Sequence, residues 1–350
     1  MRMRSGDPRE MRAGRSTGEA VRTSGVQYSG RSRGAALRRV RIWGATVAAM
    51  LVLVAALLAA VGCGTNQKAT TPSASPARIA VTDDAGRAFT LQKPATRIVS
   101  LAPAQTEMVY AVGAGDRVVG VSDFCDYPQD AKDVDKVGDF ANPNVEKIIS
   151  LKPDLVLAAS GVQSDAAARL DELNVPVVVL DPATLDGVFE DLEKLGLLVG
   201  EQAKAKALVD SLHAVAKDVE TRISGRQRLK VFFEIYSKPL MTAGKGTLIE
   251  DLVRRAGGAN IGSSAGVGYP EFSQEVLITE DPDVYIAVAG AQAEPGDIAK
   301  RPAYNQLTAV KEGRVFVIED NLVVRSGPRA LQGLRQIAAF LHPDAFEGSE

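Results

Sequence analysis

Two glutamates occupy the same place in two copies of one short sequence pattern. Glu146 opens the first copy, which ends at Ala158, and Glu275 opens the second copy, which ends at Ala287. Each copy is typical of a short amphipathic helix, a Pro-Asp turn and a buried apolar strand. We interpret the repeat as two lobes of similar build, each presenting one carboxylate at the same position. Such a pair suits docking onto a partner with two-fold symmetry.

The sequence patterns that could indicate catalysis lack the flanking elements or the spacing that such sites require. Ser264 stands in a G-x-S-x-G sequence, but a nucleophile elbow needs a strand before the serine and a helix after it, and this segment is typical of a loop. Gly244 opens a Gly-Lys-Gly-Thr sequence without the spacing of a phosphate loop, although N–H groups at a helix start suit an acidic ligand group. His213 and His342, the two histidines of the chain, lie in no ligand cluster. We therefore expect a protein that is not an enzyme, with no metal centre and no resident cofactor.

Residues suited to binding a small ligand gather in the segments that follow predicted strands. These are Phe124, Phe140, Tyr236, Gly244, Tyr269, Asn321 and Arg325. Ligands of open parallel sheets bind outside the carboxyl ends of the strands, where such segments lie. The guanidinium of Arg325 is suited to clamping a carboxylate or phosphate, and a solvated loop charge is the alternative interpretation.

The elements that must position these residues alternate between strands and helices. After a hairpin near the start of the body, the predicted strands are residues 98–101, 118–121, 155–158, 177–180, 229–234, 284–288 and 314–318. The predicted helices are residues 105–112 and 165–173, one that starts at 247, and 329–341. This alternation predicts an α/β fold with mainly parallel sheets.

One strongly helical stretch separates the two halves. We predict a spine helix over residues 199–224, between an N-terminal lobe at 78–198 and a C-terminal lobe at 225–345. Its Ala, Leu and Val residues are spaced three and four apart, and at ~1.5 Å per residue it spans roughly 30 Å. Such a helix suits a stiff connection between two lobes with a cleft between them.

The first 62 residues differ sharply in charge from the rest. They contain eleven Arg, no Lys and three acidic residues, a charge of +8, so a chain of net charge −2 leaves −10 for the remainder. An acidic body argues against nucleic acid as a partner. Basic residues, an apolar run from Ile42 and Ala-Val-Gly before Cys63 indicate a signal segment. An uncleaved transmembrane anchor is the alternative, since about twenty apolar residues can span a bilayer.

The sequence around Cys63 also resembles the lipidation site of bacterial lipoproteins, which implies a lipid anchor at this residue. Residues 63–77 are polar, without periodicity, and are typical of a flexible tether. Cys125 then has no disulfide partner, and we expect a small buried residue rather than a ligand.

Four motifs, occurring in order, resemble the solute-binding proteins of ABC importers for metal chelates. They are Val99-Ser-Leu-Ala-Pro-Ala-Gln-Thr-Glu107, Gly120-Val-Ser-Asp-Phe-Cys-Asp-Tyr-Pro128, Asn144-Val-Glu-Lys-Ile-Ile-Ser-Leu-Lys-Pro-Asp154 and Arg325-Ser-Gly-Pro-Arg329. The resemblance covers residues from about 78 to 340. It implies two Rossmann-like lobes joined by one long helix, with cobalamin, a ferric siderophore or haem held between them.

The resemblance also implies roles for individual residues. The two docking glutamates of the family match Glu146 and Glu275. Cleft aromatics match Phe124, Phe140 and Tyr269, where the cobalamin binder has Tyr, Trp and Trp. Asn321 matches an acidic cleft residue.

We therefore predict an extracytoplasmic lipoprotein receptor, monomeric and anchored to the cell membrane. Its partners are a small-molecule metal chelate and the permease dimer of an ABC transporter. A cobalamin-type corrinoid is favoured, with a ferric siderophore or haem as the alternative. A surface hydrolase that uses Ser264 and a sensor or adhesin are the other classes considered.

Overall fold

The computed structural model describes residues 78–290 and 298–347. The predicted leader, the lipidation site at Cys63 and the tether lie outside these residues. The chain divides by its contacts into two units, and the second of them, Ala74–Glu350, is a compact body. None of the helices in the described ranges has the length and apolar character that a membrane span requires.

A hairpin opens the described chain, and a four-stranded parallel sheet follows it. The strands are β1 (Ile79–Thr82), β2 (Ala88–Leu91), β3 (Ile98–Ser100), β4 (Val118–Val121), β5 (Leu155–Ala158) and β6 (Val177–Val179). The helices are α1 (Pro103–Ala111), α2 (Val145–Ser150), α3 (Ser164–Glu172) and α4 (Leu185–Val199). The sheet order is β4-β3-β5-β6, and all its neighbours are parallel. We call this sheet and its helices the N-lobe.

A second sheet with the same parallel core forms the C-lobe. Its strands are β7 (Leu229–Ser237), β8 (Leu240–Thr242), β9 (Gly258–Asn260), β10 (Val284–Ala289) and β11 (Val315–Glu319). Its helices are α6 (Leu248–Arg255), α7 (Gln274–Glu280), α8 (Thr308–Lys311) and α9 (Ala330–Leu341). The parallel order β9-β7-β10-β11 repeats the order of the N-lobe, and antiparallel β8 is added to β7. The predicted α/β class with mainly parallel sheets is confirmed.

The spine helix α5 (Gln202–Arg222) lies between the two lobes and packs on α4 and α9. It falls within the range predicted for it. The preceding helix α4 was not predicted as a separate element. It ends at Gly200, which adopts a positive φ of 74° and closes the helix as glycine commonly does.

The two sheets share one apolar core on the side of the spine. Ile98 and Leu155 in the first sheet, and Val231 and Ile286 in the second, all belong to this cluster, together with residues of α4, α5 and α9. The alternate strand residues face separate clusters, one in each lobe. A buried Val, Leu, Ile or Phe contributes ~1.5–3 kcal/mol relative to exposure, so separating the lobes along the spine would be costly.

The repeated pattern has the same backbone in both lobes. α2 precedes β5 in the first copy, and α7 precedes β10 in the second. Between helix and strand, Lys152 and Asp281 both have positive φ values, 50° and 44°, at the same position of the repeat. Asp154 then accepts hydrogen bonds from the backbone N–H groups of Thr96 and Arg97. The matching Asp283 accepts one from Lys230 at the start of β7.

Candidate ligand-binding cleft

Segments that follow the carboxyl ends of strands in the two sheets approach each other at two places. Arg325, which follows β11, is 2.6 Å from Asp126, which follows β4. Asp181, which follows β6, lies close enough to Tyr269 of the C-lobe for its charge to raise the pKa of that phenol. These two approaches join the lobes at opposite edges of the N-lobe sheet. The segments between them form the walls of the candidate site.

Residues 122–128 form a loop after β4, which we call the cleft loop. Its two aromatic side chains, Phe124 and Tyr127, are 50% and 47% exposed. Cys125 between them is buried, and its Sγ lies 3.1 Å from Thr106 Oγ1 and 3.3 Å from Ser122 Oγ. The prediction that Cys125 is a small buried residue is confirmed. Cys125 therefore holds the base of the loop against the protein, while Phe124 and Tyr127 remain exposed.

Phe140 lies in a second segment of the N-lobe wall and is half-buried. Its carbonyl accepts a hydrogen bond of 2.9 Å from the Gln163 side chain. Gln163 is fully buried, donates a second bond to Leu101 and accepts one from Ala159. This one side chain therefore ties the Phe140 segment to the chain that follows β3 and β5.

The C-lobe wall carries Tyr236 near the end of β7 and Tyr269 in a long loop after β9. Both side chains are exposed. Although Tyr269 is 41% exposed as a whole residue, desolvation of its phenol group raises the pKa, and the nearby negative charge of Asp181 raises it further. Val267, 79% exposed, extends this apolar surface.

Gly244 supports the Tyr269 loop from within the protein. Its N–H donates to Gly268, 2.7 Å away, and a Cβ at this position would lie 2.5 Å from the carbonyl oxygen of Gly266. The N–H groups of Lys245 and Gly246 donate to Gly266 and to the side chain of Glu250. These three donors already have acceptors, so the structure gives Gly244 a supporting position rather than a free group for an acidic ligand.

Arg325 and Asn321 follow β11, as expected. Asn321 lies in a 3-10 turn and is partly exposed. Arg325 is 17% exposed and pairs with Glu107 at 3.3 Å as well as with Asp126. Its charge is therefore already compensated, and the prediction that it clamps an anionic ligand stays a prediction.

Four charged residues form what we call the interlobe ion cluster: Glu107, Asp126, Arg325 and Arg329. Arg329 contacts Glu107 through two hydrogen bonds of 2.8 and 2.6 Å, and its guanidinium lies 4.2 Å from the ring centroid of Tyr127. The Glu107 carboxylate raises the pKa of Arg329. Burial opposes ionisation of Asp126, but the hydrogen bond and charge of Arg325 hold its pKa below the usual value.

Sequence reasoning did not single out several residues that shape this site. Glu107, Tyr127 and Arg329 stand inside the quoted motifs, but their types alone did not indicate mutual contact. Gln163 and Asp181 belong to no motif. Only the folded chain brings these residues together, because their partners are 20 to more than 200 positions away.

Glu146 and Glu275 are exposed in the first turns of α2 and α7. The chain before α2 is tied to the carboxyl edge of its sheet through Gln163, and Gln274 donates to Pro302, which follows β10. Both glutamates therefore lie on the side of their sheets where the cleft opens. Neither forms an ion pair within the described ranges.

The catalytic patterns remain unsupported. Ser264 lies in a 3-10 turn (Ile261–Ser264), and its hydroxyl donates to the carbonyl of Ile261. Strand β9 ends directly before this turn, but the helix that must follow a nucleophile elbow is missing, since the next helix begins only at Gln274. Within residues 78–290 and 298–347, no group of three or more His, Cys, Asp or Glu side chains could hold a metal ion.

A family model described as periplasmic binding protein matches residues 98–322. The uncharacterized ABC transporter substrate-binding lipoprotein YvrC of Bacillus subtilis is 34% identical over 320 residues, which cover 89% of this chain and 99% of that relative.

Solved structures agree with this match. The periplasmic vitamin B12 binding protein BtuF of Vibrio cholerae has a TM-score of 0.65 at 29% identity, covering 73% of this chain and 99% of that one. The periplasmic haem-binding protein RhuT of Roseiflexus sp. RS-1 has a TM-score of 0.62 at 26% identity, covering 71% and 98%.

Proposed function

This chain belongs to the periplasmic binding protein family, and we propose that it captures a metal chelate outside the cytoplasmic membrane for an ABC importer. The ligand would lie in the cleft between the lobes, against Phe124, Phe140, Tyr236 and Tyr269. The observation that carries this proposal is the exposure of Phe124 on the N-lobe and of Tyr236 and Tyr269 on the C-lobe, in segments at the carboxyl ends of strands. Large planar or macrocyclic ligands bind well to such surfaces, because aromatic side chains offer wide apolar contact at low entropic cost.

The charge balance of the interlobe ion cluster favours a corrinoid over the anionic alternatives. Arg325 and Arg329 are matched by Glu107 and Asp126, so these four residues contribute no net charge. A cobalamin-type ligand presents mostly amides and needs no compensating cation. Haem propionates or an anionic siderophore would need a free guanidinium or ammonium group to offset their desolvation. The similarity to the vitamin B12 binding protein supports the same choice.

Delivery would use the two exposed glutamates. Glu146 and Glu275 stand at equivalent positions of the repeat, so each lobe can offer one carboxylate to one subunit of a permease dimer. Cys63 would anchor the receptor to the membrane, in keeping with the lipoprotein relative. The receptor would act as a monomer.

The test is direct titration of residues 74–350, the compact unit of the chain. Cyanocobalamin, haemin and ferrichrome would each be added, with calorimetry and thermal shift as readouts. We expect cyanocobalamin to bind in the micromolar range or tighter and to raise the melting temperature. Binding of haemin or ferrichrome alone would replace the corrinoid with that ligand class, and no binding of any probe would contradict the proposal.

A double variant and a control test whether the ligand binds in the cleft. Phe124→Ala combined with Tyr269→Ala should weaken binding at least about tenfold, since each aromatic stacking contact contributes on the order of 1 kcal/mol beyond the area it buries. Leu173→Ala is the matched control, because Leu173 is also 50% exposed but follows α3 at the far end of the N-lobe sheet. Equal weakening by the control would place the ligand elsewhere.

A further inference from the structure

The interlobe ion cluster connects a buried carboxylate of one lobe to two arginines of the other. Glu107, in α1 of the N-lobe, is 3% exposed. Its Oε1 accepts from Arg325 at 3.3 Å and from Arg329 at 2.6 Å, and its Oε2 accepts from Arg329 at 2.8 Å. All the hydrogen bonds of this carboxylate within the described part of the chain thus come from the C-lobe.

A buried carboxylate with no partner is strongly unfavourable. The Glu107 carboxylate therefore keeps its hydrogen-bonding partners only while the chain before α9 lies against α1. The chain is close to α1 at Gly327, where a Cβ would lie in ordinary van der Waals contact, 3.5 Å from both the Ala104 carbonyl and Glu107 Oε2. The backbone between the two arginines is thus seated directly on the N-lobe.

The same two arginines also hold the tip of the cleft loop. Arg325 binds Asp126, and Arg329 lies over the ring of Tyr127. The base of the loop is fixed separately by buried Cys125. Phe124 is in the same loop. The positions of Phe124 and Tyr127 therefore both depend on contacts made by the opposite lobe.

We propose that Arg325 and Arg329 are positioning residues: through Glu107, Asp126 and Tyr127 they hold the cleft loop of the N-lobe in its ligand-ready position. This role replaces the direct ligand contact expected of Arg325 from the sequence. Its effect on affinity rests on the proposed ligand-binding function, whereas its effect on the loop can be measured without a ligand. Because the loop is held in advance, binding would not have to include the entropic cost of ordering it.

Cys125 supplies a native reporter of the loop. It is the single cysteine of residues 74–350. Burial raises the pKa of its thiol, so the closed loop should react slowly with Ellman's reagent. Arg325→Gln and Arg329→Gln should each increase the reaction rate at least about fivefold in the ligand-free protein, because local opening of the loop exposes the thiol.

Arg226→Gln is the matched control for these variants. Arg226 forms an ion pair with Asp344 in the C-lobe, away from the cleft, and the same substitution there should leave the thiol rate unchanged. Rates that stay at the wild-type value in both cluster variants would overturn the proposal. So would an equal acceleration in the control, because it would reflect general loosening of the fold.

A second variant separates positioning from direct ligand contact. Asp126→Asn removes the Arg325–Asp126 ion pair and leaves the guanidinium less compensated. If Arg325 positions the loop, the affinity for cyanocobalamin should fall several-fold, and the thiol rate should rise. If Arg325 instead contacts an anionic ligand, affinity for haemin should rise without a change in thiol rate, and the proposal would be wrong.

Asp130→Asn controls for the lost charge, since Asp130 is exposed nearby and forms no ion pair with any residue that the structure describes. The two proposals can fail separately. If none of the three probes binds the wild type but the cluster variants accelerate the thiol reaction, the proposed ligand fails and the positioning of the loop stands. If a probe binds and the thiol rates do not respond, the positioning role fails alone.

Discussion

Lys152 and Asp281 stand at the same place in the two copies of the repeat, with φ values of 50° and 44°. Only the side chain of Asp281 binds a neighbouring segment. Asp281 accepts hydrogen bonds of 2.7 Å from the N–H and the hydroxyl of Thr308, at the start of α8. Lys152 is exposed and its side chain makes no such contact.

The next aspartate of each copy shows the reverse difference. In the N-lobe, Asp154 accepts hydrogen bonds from the backbone N–H of Thr96, from the backbone N–H of Arg97 and from the Thr96 hydroxyl. In the C-lobe, Asp283 accepts a single bond from Lys230. The two copies therefore share the helix, turn and strand that carry Glu146 and Glu275, while each lobe fastens that unit with different neighbours.

The largest expected effect concerns the feature that the two copies share. Glu146→Arg and Glu275→Arg should each reduce uptake of the bound ligand at least about tenfold, and the double variant should abolish it. Carboxylates that dock would meet cationic side chains of the permease, and like charges at an interface cost several kcal/mol. Affinity of the purified protein for its ligand should not change. Glu172→Arg, at the end of α3, is the matched control for an exposed reversed charge.

Transport assays in cells that contain the importer give the measurement. Loss in one single variant only would show that the two lobes dock unequally. Uptake that survives the double reversal would remove the docking proposal and favour a sensor or adhesin.

Buried carboxylates give the next comparison, since the lobes neutralise them differently. In the C-lobe, Arg301 contacts both oxygens of Glu234, and this pairing raises the pKa of Arg301. In the N-lobe, Asp191 shares Lys194 with Asp84. The pKa of Asp191 is raised from 3.8 to about 8, mainly by burial and also by the neighbouring Asp84, against the opposing effect of Lys194.

Stability of the protein should therefore fall as the pH rises from about 4 to about 8. In this window the folded state retains a proton on Asp191 that the unfolded state has released, so the free energy of unfolding decreases with pH. At about 1.4 kcal/mol per pKa unit, the full shift sets an upper limit of about 6 kcal/mol on this change. Asp191→Asn should flatten this decline in urea unfolding measured from pH 5 to 8.5. An unchanged slope in the variant would contradict the assignment.

The turn aspartates should differ in their contribution to stability. Asp154→Ala should lower the free energy of unfolding by about 2 kcal/mol, and Asp283→Ala by about 1 kcal/mol, because charge-assisted hydrogen bonds contribute roughly 1.5–3 kcal/mol when partly buried and less at the surface. Chemical denaturation of both variants at pH 7 gives the values. Equal losses would mean that the extra bonds of Asp154 add nothing.

Much of the framework could be predicted from the sequence, because it depends on local pattern. The strand at Leu155–Ala158 has the bounds predicted for it, and α5 lies inside its predicted range. The short strands β8 and β9 were missed, since three residues carry too little pattern. Helix α4 was missed as well, because the break at Gly200 was not recognised.

The site was harder to predict, because its contacts join distant parts of the chain. The position of Phe124 follows from the end of the strand predicted at 118–121, whereas β9, the strand before Tyr269, was missed. The pairing of Arg329 with Glu107, 222 residues apart, has no local signal. For the same reason the sequence could not indicate that Arg325 is already compensated by two carboxylates.

Substitution by glycine at the two positive-φ positions should change the free energy of unfolding in opposite directions in the two copies. Lys152→Gly should stabilise the protein slightly, by up to about 1 kcal/mol. A non-glycine residue in this conformation costs ~1–2 kcal/mol, and the greater freedom of glycine in the unfolded chain offsets only part of that gain.

Asp281→Gly relieves the same strain but removes both bonds to Thr308, so we expect a net loss of about 1 kcal/mol. These bonds lower the pKa of Asp281 below 3.8, so its contribution is present at neutral pH and is lost as the pH falls through the lowered pKa. The difference between Asp281→Gly and the wild type should accordingly shrink in acid, whereas the effect of Lys152→Gly should not depend on this carboxylate. Denaturant unfolding at pH 7 and pH 3 distinguishes the two cases. Effects of the same sign at both positions would show that the turn backbone, rather than the neighbours of each copy, determines the stability of the repeat.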